Sequence, residues 1–183
     1  MLFIVKKGRV RLFRTTADGR TLTTAIVSPG EVFAEMTSVG QHLRDTWAET
    51  LDSAVLCVMS RADVQRLLLS DPRIAARIAQ YLGERLAGME QRLSDAMLRP
   101  VPARVASALA TMAGEQQPAV VRLTHEQLAD LVGTARETTT KVLGDLQDRR
   151  LIILKRGKIV IPDAEKLAKL AEDKSGLEGI RTR

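Results

Sequence analysis

Apolar and polar positions change rhythm near residue 60, and return briefly to a strand pattern at 151–163. Before residue 60 the runs RVRLF (9–13), TLTTAIV (21–27), TWAET (46–50) and AVLCVM (54–59) are rich in β-branched and apolar residues and are parted by turn signals, so residues 1–59 read as strands. Asp18-Gly19, inside Ala17–Arg20, suits a tight hairpin, and Ser28-Pro29-Gly30 is a second break. From residue 60 to about residue 148 the apolar period is mostly helical. Ser60 and Asp63 make a capping box that opens a short helix to about Leu69. Asp71 as N-cap and Pro72 at the first helical position open a longer one. In it Ala75, Ala79, Leu82, Leu86, Met89, Leu93 and Ala96 follow at steps of four and three, a heptad seam held for about three repeats. Ile74, Ile78 and Tyr81 form a second stripe suited to packing on the strands. Two stripes call for two partners, and the seam by itself fits a core helix or a second copy of the chain equally well.

Pro100 and Pro102 end that helix and flank a hinge, because the residue before each proline is pushed out of the α region. Ala103–Ala113 reads as a helix with Val105, Leu109 and Met112 inward, and residues 114–118 as a polar loop. Thr124–Leu146 reads as two helices around a tight turn at Gly133, with Thr124/Gln127 and Thr134/Glu137 as a pair of capping boxes. The first helix is expected to bury Leu128, Leu131 and Val132. At about 100° per residue, Ala135, Val142, Leu146, Thr139 and Leu143 of the second share one arc. Arg136, Thr140, Gly144, Glu137 and Lys141 share the other, which lacks any large apolar group. A helix lying in a DNA major groove needs such a face: long hydrogen-bonding side chains and room for close approach. LIILKRGKIVIPD (151–163) reads as a hairpin with a basic glycine tip, Lys155-Arg156-Gly157-Lys158, suited to a phosphate backbone. Asp163 caps a last helix, about Ala164–Asp173, with Leu167 and Leu170 inward, and residues 176–183 read as a frayed tail.

Composition narrows the classes. The 183 residues can build one large or two modest domains. No run approaches a membrane span, and no cleavage region follows the apolar start, so neither a membrane segment nor a signal peptide is expected. One cysteine, Cys57, excludes an internal disulfide framework, fits the cytoplasm, and in its apolar run is expected to be buried. One Cys and two His supply too few soft ligands for an iron–sulfur cluster or an ordinary zinc site, so no metal or other cofactor is expected. A metal-dependent enzyme on a cupin-like barrel is set aside as well, since His42 and His125 fall in different predicted domains. The net charge is +6, yet residues 1–100 and 101–183 each carry 14 basic and 11 acidic groups. Charge therefore adds little, and the helix faces carry the argument.

The pattern Thr-x-x-x-Leu-Ala-x-x-x-Gly-x-x-Arg-Glu-Thr-x-x-Lys, from Thr124 to Lys141, resembles the helix-turn-helix of the cyclic-AMP receptor protein and fumarate-nitrate regulator (CRP/FNR) family of bacterial transcription factors, which usually has Arg where Lys141 stands. Gly8-Arg9-Val10 and Pro29-Gly30-Glu31-Val32-Phe33 resemble the same family's sensor domain, so the resemblance spans nearly the whole chain. It implies an α+β protein with a β jelly-roll sensor domain (1–70), a long dimerisation helix (71–99) carrying the seam, and a winged helix-turn-helix domain (100–183). Family members ordinarily have strands before the run Met1–Val5, so either the start is truncated or the barrel is open at that edge. Residues 33–50 occupy the place of the family's phosphate-binding cassette. Glu35 and Arg44 remain there, but Ala34 replaces the glycine, and Asp45 stands where a small hydroxyl residue donates to the phosphate. A carboxylate there repels a phosphodiester. Met89-Glu90 also stand where the cyclic-AMP receptor presents hydroxyls to the base. A structural Glu35–Arg44 ion pair is the reading preferred over a small-molecule effector site.

The resemblance further implies a homodimer on a palindromic site like TGTGA-N6-TCACA. Arg136, Glu137, Thr140 and Lys141 would read bases, while Thr124, Thr134, Thr138, Lys155, Arg156 and Lys158 would meet phosphates. Helix caps are the alternative for the threonines and for Glu137. The 16–20 hairpin and the 114–118 loop stand where family activators touch RNA polymerase. A winged helix used for protein contacts rather than DNA is the rival class.

Overall fold

The computed structural model describes residues 1–34, 45–113 and 118–172. The chain divides into two compact units, Met1–Met89 and Glu90–Arg183. In the first unit β1 (Leu2–Lys7), β2 (Val10–Thr15), β3 (Thr21–Val27), β4 (Val32–Ala34), β5 (Trp47–Thr50) and β6 (Val55–Met59) form two three-stranded antiparallel sheets, ordered β4-β1-β6 and β3-β2-β5. The run beginning at Leu2 is thus an interior strand, paired on both sides. Val5, Val10, Leu12, Val27 and Phe33 are buried together, and the rings of Phe3 and Phe33 stack at 4.9 Å. The β2–β3 hairpin closes where the Asp-Gly pair predicts it: Thr16 N–H donates to Arg20 O at 2.9 Å, and Gly19 takes φ 82°. Gly8 turns β1 into β2 at φ 73°, and a Cβ there would lie 2.5 Å from Ser53 O, so only glycine fits.

Cys57 is half-buried on β6 rather than enclosed. Its strand forms one side of a sheet, and the expected apolar cover is incomplete, with neighbouring Val58 also exposed. Ala34 is buried with Leu2 and Val64. Asp45 is exposed at φ 58°, a left-handed conformation that Asp tolerates better than most residues. Glu35, Arg44 and His42 lie outside the described residues, as do 114–117 and the tail.

α1 (Arg61–Ser70) begins at Ser60, whose hydroxyl accepts from Asp63 N–H at 3.2 Å. α2 (Pro72–Leu98) begins at Asp71, whose carboxylate accepts from Arg73 N–H at 3.0 Å. Ile74, Ile78 and Tyr81 are half-buried, and the Tyr81 hydroxyl donates to Val32 O at 3.0 Å. Burial, aided by the Glu31 carboxylate, raises the Tyr81 pKa above its usual 10.0. Along the seam Leu82 is half-buried, whereas Ala75, Ala79, Leu86, Met89, Leu93 and Ala96 are exposed in the single chain.

The second unit holds α3 (Val101–Ala113), β7 (Ala119–Val121), α4 (His125–Val132), α5 (Arg136–Asp148), β8 (Ile153–Lys155), β9 (Lys158–Ile161) and α6 (Ala164–Glu172). α3 starts two residues earlier than its sequence suggests. Pro100 O takes the first helical bond, from Arg104 N–H at 3.2 Å, and Pro102 sits in the first turn, where its missing N–H costs nothing. Val105 and Leu109 are fully buried and Met112 half-buried. The strands order β7-β9-β8. Asp163 caps α6, accepting from Lys166 N–H at 3.0 Å, with Leu167 fully buried and Leu170 half-buried.

Candidate nucleic-acid interface

α4 is framed by local chemistry at both ends. The Thr124 hydroxyl accepts from Gln127 N–H at 3.1 Å, and the Gln127 side-chain oxygen accepts from Thr124 N–H at 2.9 Å, so the first capping box forms in full. At the other end Gly133 adopts φ 67°, and both Gly133 and Thr134 donate their N–H groups to Ala129 O. That second bond decides the fate of the other predicted box. Thr134 is drawn into the closing turn of α4, Ala135 becomes the N-cap of α5, and no side chain caps it. The Thr134/Glu137 capping box therefore does not form, and Ala135, expected inward, is exposed at the joint. In α4 the buried residues are Leu128, Ala129 and Val132, with Leu131 half-buried rather than enclosed.

α5 divides into two faces. Thr139, Val142, Leu143 and Leu146 are fully buried, each large apolar side chain contributing about 1.5–3 kcal/mol to holding the helix in place. Arg136, Glu137, Thr140 and Lys141 are exposed together on the opposite face. Gly144 follows them, and nothing lies within 4 Å of where its Cβ would be. Of the remaining predicted contacts Thr124 is exposed and serves as a cap, while Thr134 and Thr138 are half-buried. The β8–β9 hairpin turns through Gly157 at φ 70°, with Lys155 and Arg156 exposed and Lys158 half-buried.

Three residues that sequence reasoning left without a role hold these pieces together. Arg104 of α3 donates from Nη1 to Val132 O at 2.6 Å and to Gly133 O at 3.4 Å, securing the turn between the two helices. Gln147, near the end of α5, accepts from Leu154 N–H at 2.8 Å through its side-chain oxygen, tying the helix to the outer hairpin strand. His125 meets Thr140, Nδ1 to Oγ1, at 2.9 Å. Only Arg104 left a trace in the sequence, as a long cation inside an otherwise apolar helical stretch. Among the described residues, no group of three or more His, Cys, Asp or Glu is placed to hold a metal ion, and no helix is long and apolar enough to cross a membrane.

Comparison with known proteins matches this architecture. A cyclic nucleotide-binding domain family model matches residues 1–71, and a Crp-like helix-turn-helix domain matches residues 103–170. A CRP-like cAMP-activated global transcriptional regulator from Mycobacterium tuberculosis (strain H37Rv) is 32% identical over 177 residues, covering 93% of this chain and 79% of that protein. Transcriptional regulator SdrP from Thermus thermophilus is 32% identical over 176 residues, covering 93% of this chain and 83% of that one. A solved CRP/FNR family regulator, also from Thermus thermophilus, superposes with a TM-score of 0.77 at 31% identity, over 94% of this chain and 88% of that chain. A β-rich sensor-type domain joined to a helix-turn-helix of this kind, with relatives that regulate transcription rather than catalyse a reaction, places the chain in the CRP/FNR family of DNA-binding transcriptional regulators.

Proposed function

We infer that two copies of this chain pair along the exposed seam of α2 and set one α5 each into successive major grooves of a palindromic promoter site. The polar ridge Arg136, Glu137, Thr140, Lys141 is the observation that carries this reading, since nothing apolar interrupts it and a buried apolar arc fixes its orientation. Arg136 suits guanine O6 and N7 bidentately, and Glu137 suits a cytosine amino group. The cap that offered a structural alternative for Glu137 does not form. Lys141 acts as a point charge, weaker in discrimination than a guanidinium fork. Lys155, Arg156 and Lys158 run along phosphates, as do Thr124, Thr134 and Thr138. The domain assignment follows: 1–70 as sensor, 71–99 as dimerisation helix, 100–183 as the DNA-binding part, with the dimer working in the cytoplasm.

The dimer binds without cyclic AMP in this reading and activates through contacts with RNA polymerase. Asp45 puts a carboxylate where, by the family resemblance, a phosphate would need a donor, and Ala34 is buried with Leu2 and Val64. The match of residues 1–71 to a cyclic nucleotide-binding family favours a second reading, in which a cyclic nucleotide controls the switch. A mobility-shift assay with TGTGA-N6-TCACA, with and without cyclic AMP, separates the two. Ligand-free, strongly salt-dependent binding at two half-sites one helical turn apart is expected. Absence of binding to every symmetric site at low salt overturns the groove reading. Binding only with the nucleotide, with heat on its titration, selects the second.

A further inference from the structure

Where the two helices of the motif meet, His125 in the first turn of α4 and Thr140 on the exposed face of α5 are joined side chain to side chain. Thr140 lies one turn beyond Arg136, so its hydroxyl is offered to whatever the guanidinium faces. A threonine hydroxyl has one donor hydrogen and two acceptor lone pairs, and a bond to a fixed partner decides which remains for a third group. An imidazole nitrogen without a proton takes the hydroxyl hydrogen and leaves lone pairs facing outward. A nitrogen carrying a proton donates to the oxygen and leaves the hydroxyl hydrogen to point elsewhere.

We propose that His125 is a positioning residue for DNA specificity: through Nδ1 it sets whether Thr140 presents an acceptor or a donor to the base it faces. With the ring neutral and its proton on Nε2, Thr140 is an acceptor and selects an amino group, adenine N6 or cytosine N4. With the ring protonated, Thr140 becomes a donor and selects guanine O6/N7 or thymine O4. The inference rests on the reading of α5 as the groove helix.

The surroundings make the neutral ring the resting form. Burial, then the Arg136 guanidinium on α5, hold the His125 pKa below its ordinary 6.5. The first turn of α4 is also the positive end of its helix dipole. Beside these two residues along their own helices, Glu126 of α4 and Glu137 and Lys141 of α5 are at exposed positions. α3 directs Arg104 to the opposite end of α4. Phosphates of a bound duplex act in the other direction, so the ring gains its proton on the complex as pH falls.

The test is selection of preferred half-sites from a randomised palindrome by the full chain at about pH 8 and about pH 5.5, a window that spans histidine titration. His125→Asn and Thr140→Val are run alongside, each checked for folding by thermal unfolding. Asn keeps a short hydrogen-bonding side chain but cannot titrate. Wild type is expected to change its base preference at one pair per half-site by about threefold or more. His125→Asn keeps one preference at both pH values, Thr140→Val has none at that pair, and all three retain the preference set by Arg136. An unchanged wild-type preference, a pH change that survives Thr140→Val, or a pH effect equal for all sequences overturns the proposal. Loss of the Arg136-dependent preference in all three proteins at both pH values overturns the groove reading itself, a distinct result.

Discussion

α2 and α5 each leave one face uncovered in the single chain, and the two faces have opposite chemistry. On α2 the uncovered face is apolar: Leu86 is 58% exposed, Leu93 64% and Met97 78%. On α5 it is a guanidinium, a carboxylate, a hydroxyl and an ammonium, backed by side chains with no exposure at all. Water tolerates the second face and penalises the first, by about 25 cal/mol for every Å² of apolar surface that a partner could cover. An apolar stripe of this length therefore calls for another protein surface of the same kind, and a polar ridge on a firmly seated helix calls for a ligand read by hydrogen bonds. In the proposed function the contrast divides the partners by chemistry, a second copy of the chain for α2 and nucleic acid for α5.

The strongest way to break the contrast is to give α2 the chemistry of α5. Leu86→Glu with Leu93→Glu should convert the proposed dimer to a monomer, seen by light scattering across a dilution series. At about 1.5–3 kcal/mol for each leucine removed from a covered seam, dissociation should rise at least ~100-fold. Operator binding should fall with it. A double variant that stays dimeric would place the pairing surface elsewhere.

Removing the chemistry of α5 should cost less. Arg136→Ala is expected to lose about 1–3 kcal/mol on the preferred site and to relax choice at one base position, read by competition against random duplex. Equal losses on cognate and random DNA would sink the base-reading assignment. Lys155→Ala with Arg156→Ala should weaken all sequences alike and reduce the salt slope by roughly 0.9 for each phosphate left without its cation.

The smaller effects sharpen the comparison by probing what seats the helices. Thr124→Ala removes a formed cap and should cost about 1 kcal/mol of stability, whereas Thr134→Ala, at a cap that does not form, should lie within ~0.5 kcal/mol of wild type. Denaturant midpoints decide between them. Thr139→Val replaces a fully buried hydroxyl that has no hydrogen-bond partner among the described residues. It should stabilise the chain by up to about 1 kcal/mol and leave the polar face, and so the choice of sequence, untouched.

The two threonine boxes show how far local pattern reaches. Thr124-x-x-Gln127 and Thr134-x-x-Glu137 carry the same signature, yet one forms and the other does not. The difference lies upstream of the second box: Gly133 lets the chain turn left-handed, and the resulting bond from Thr134 to Ala129 O takes the would-be cap into the preceding helix. No window of four residues contains that competition. Cys57 failed for a related reason, because an apolar run says that a strand has a covered face without saying how completely a particular position on it is covered.

What the order of residues determined alone is the β-branched and apolar runs 9–13, 21–27 and 54–59 that read as strands, the heptad steps of α2, the split of α5 into an apolar and a polar arc, and the glycine-tipped basic hairpin. These follow from side-chain spacing against fixed backbone periods, and a backbone period needs no neighbours to be read. Tertiary structure alone decided that Arg104 clamps the turn, that Gln147 holds the hairpin strand, and that His125 meets Thr140 across fifteen positions of chain. Those bonds join residues that no local period relates, and they exist only once packing has brought two elements within hydrogen-bond reach.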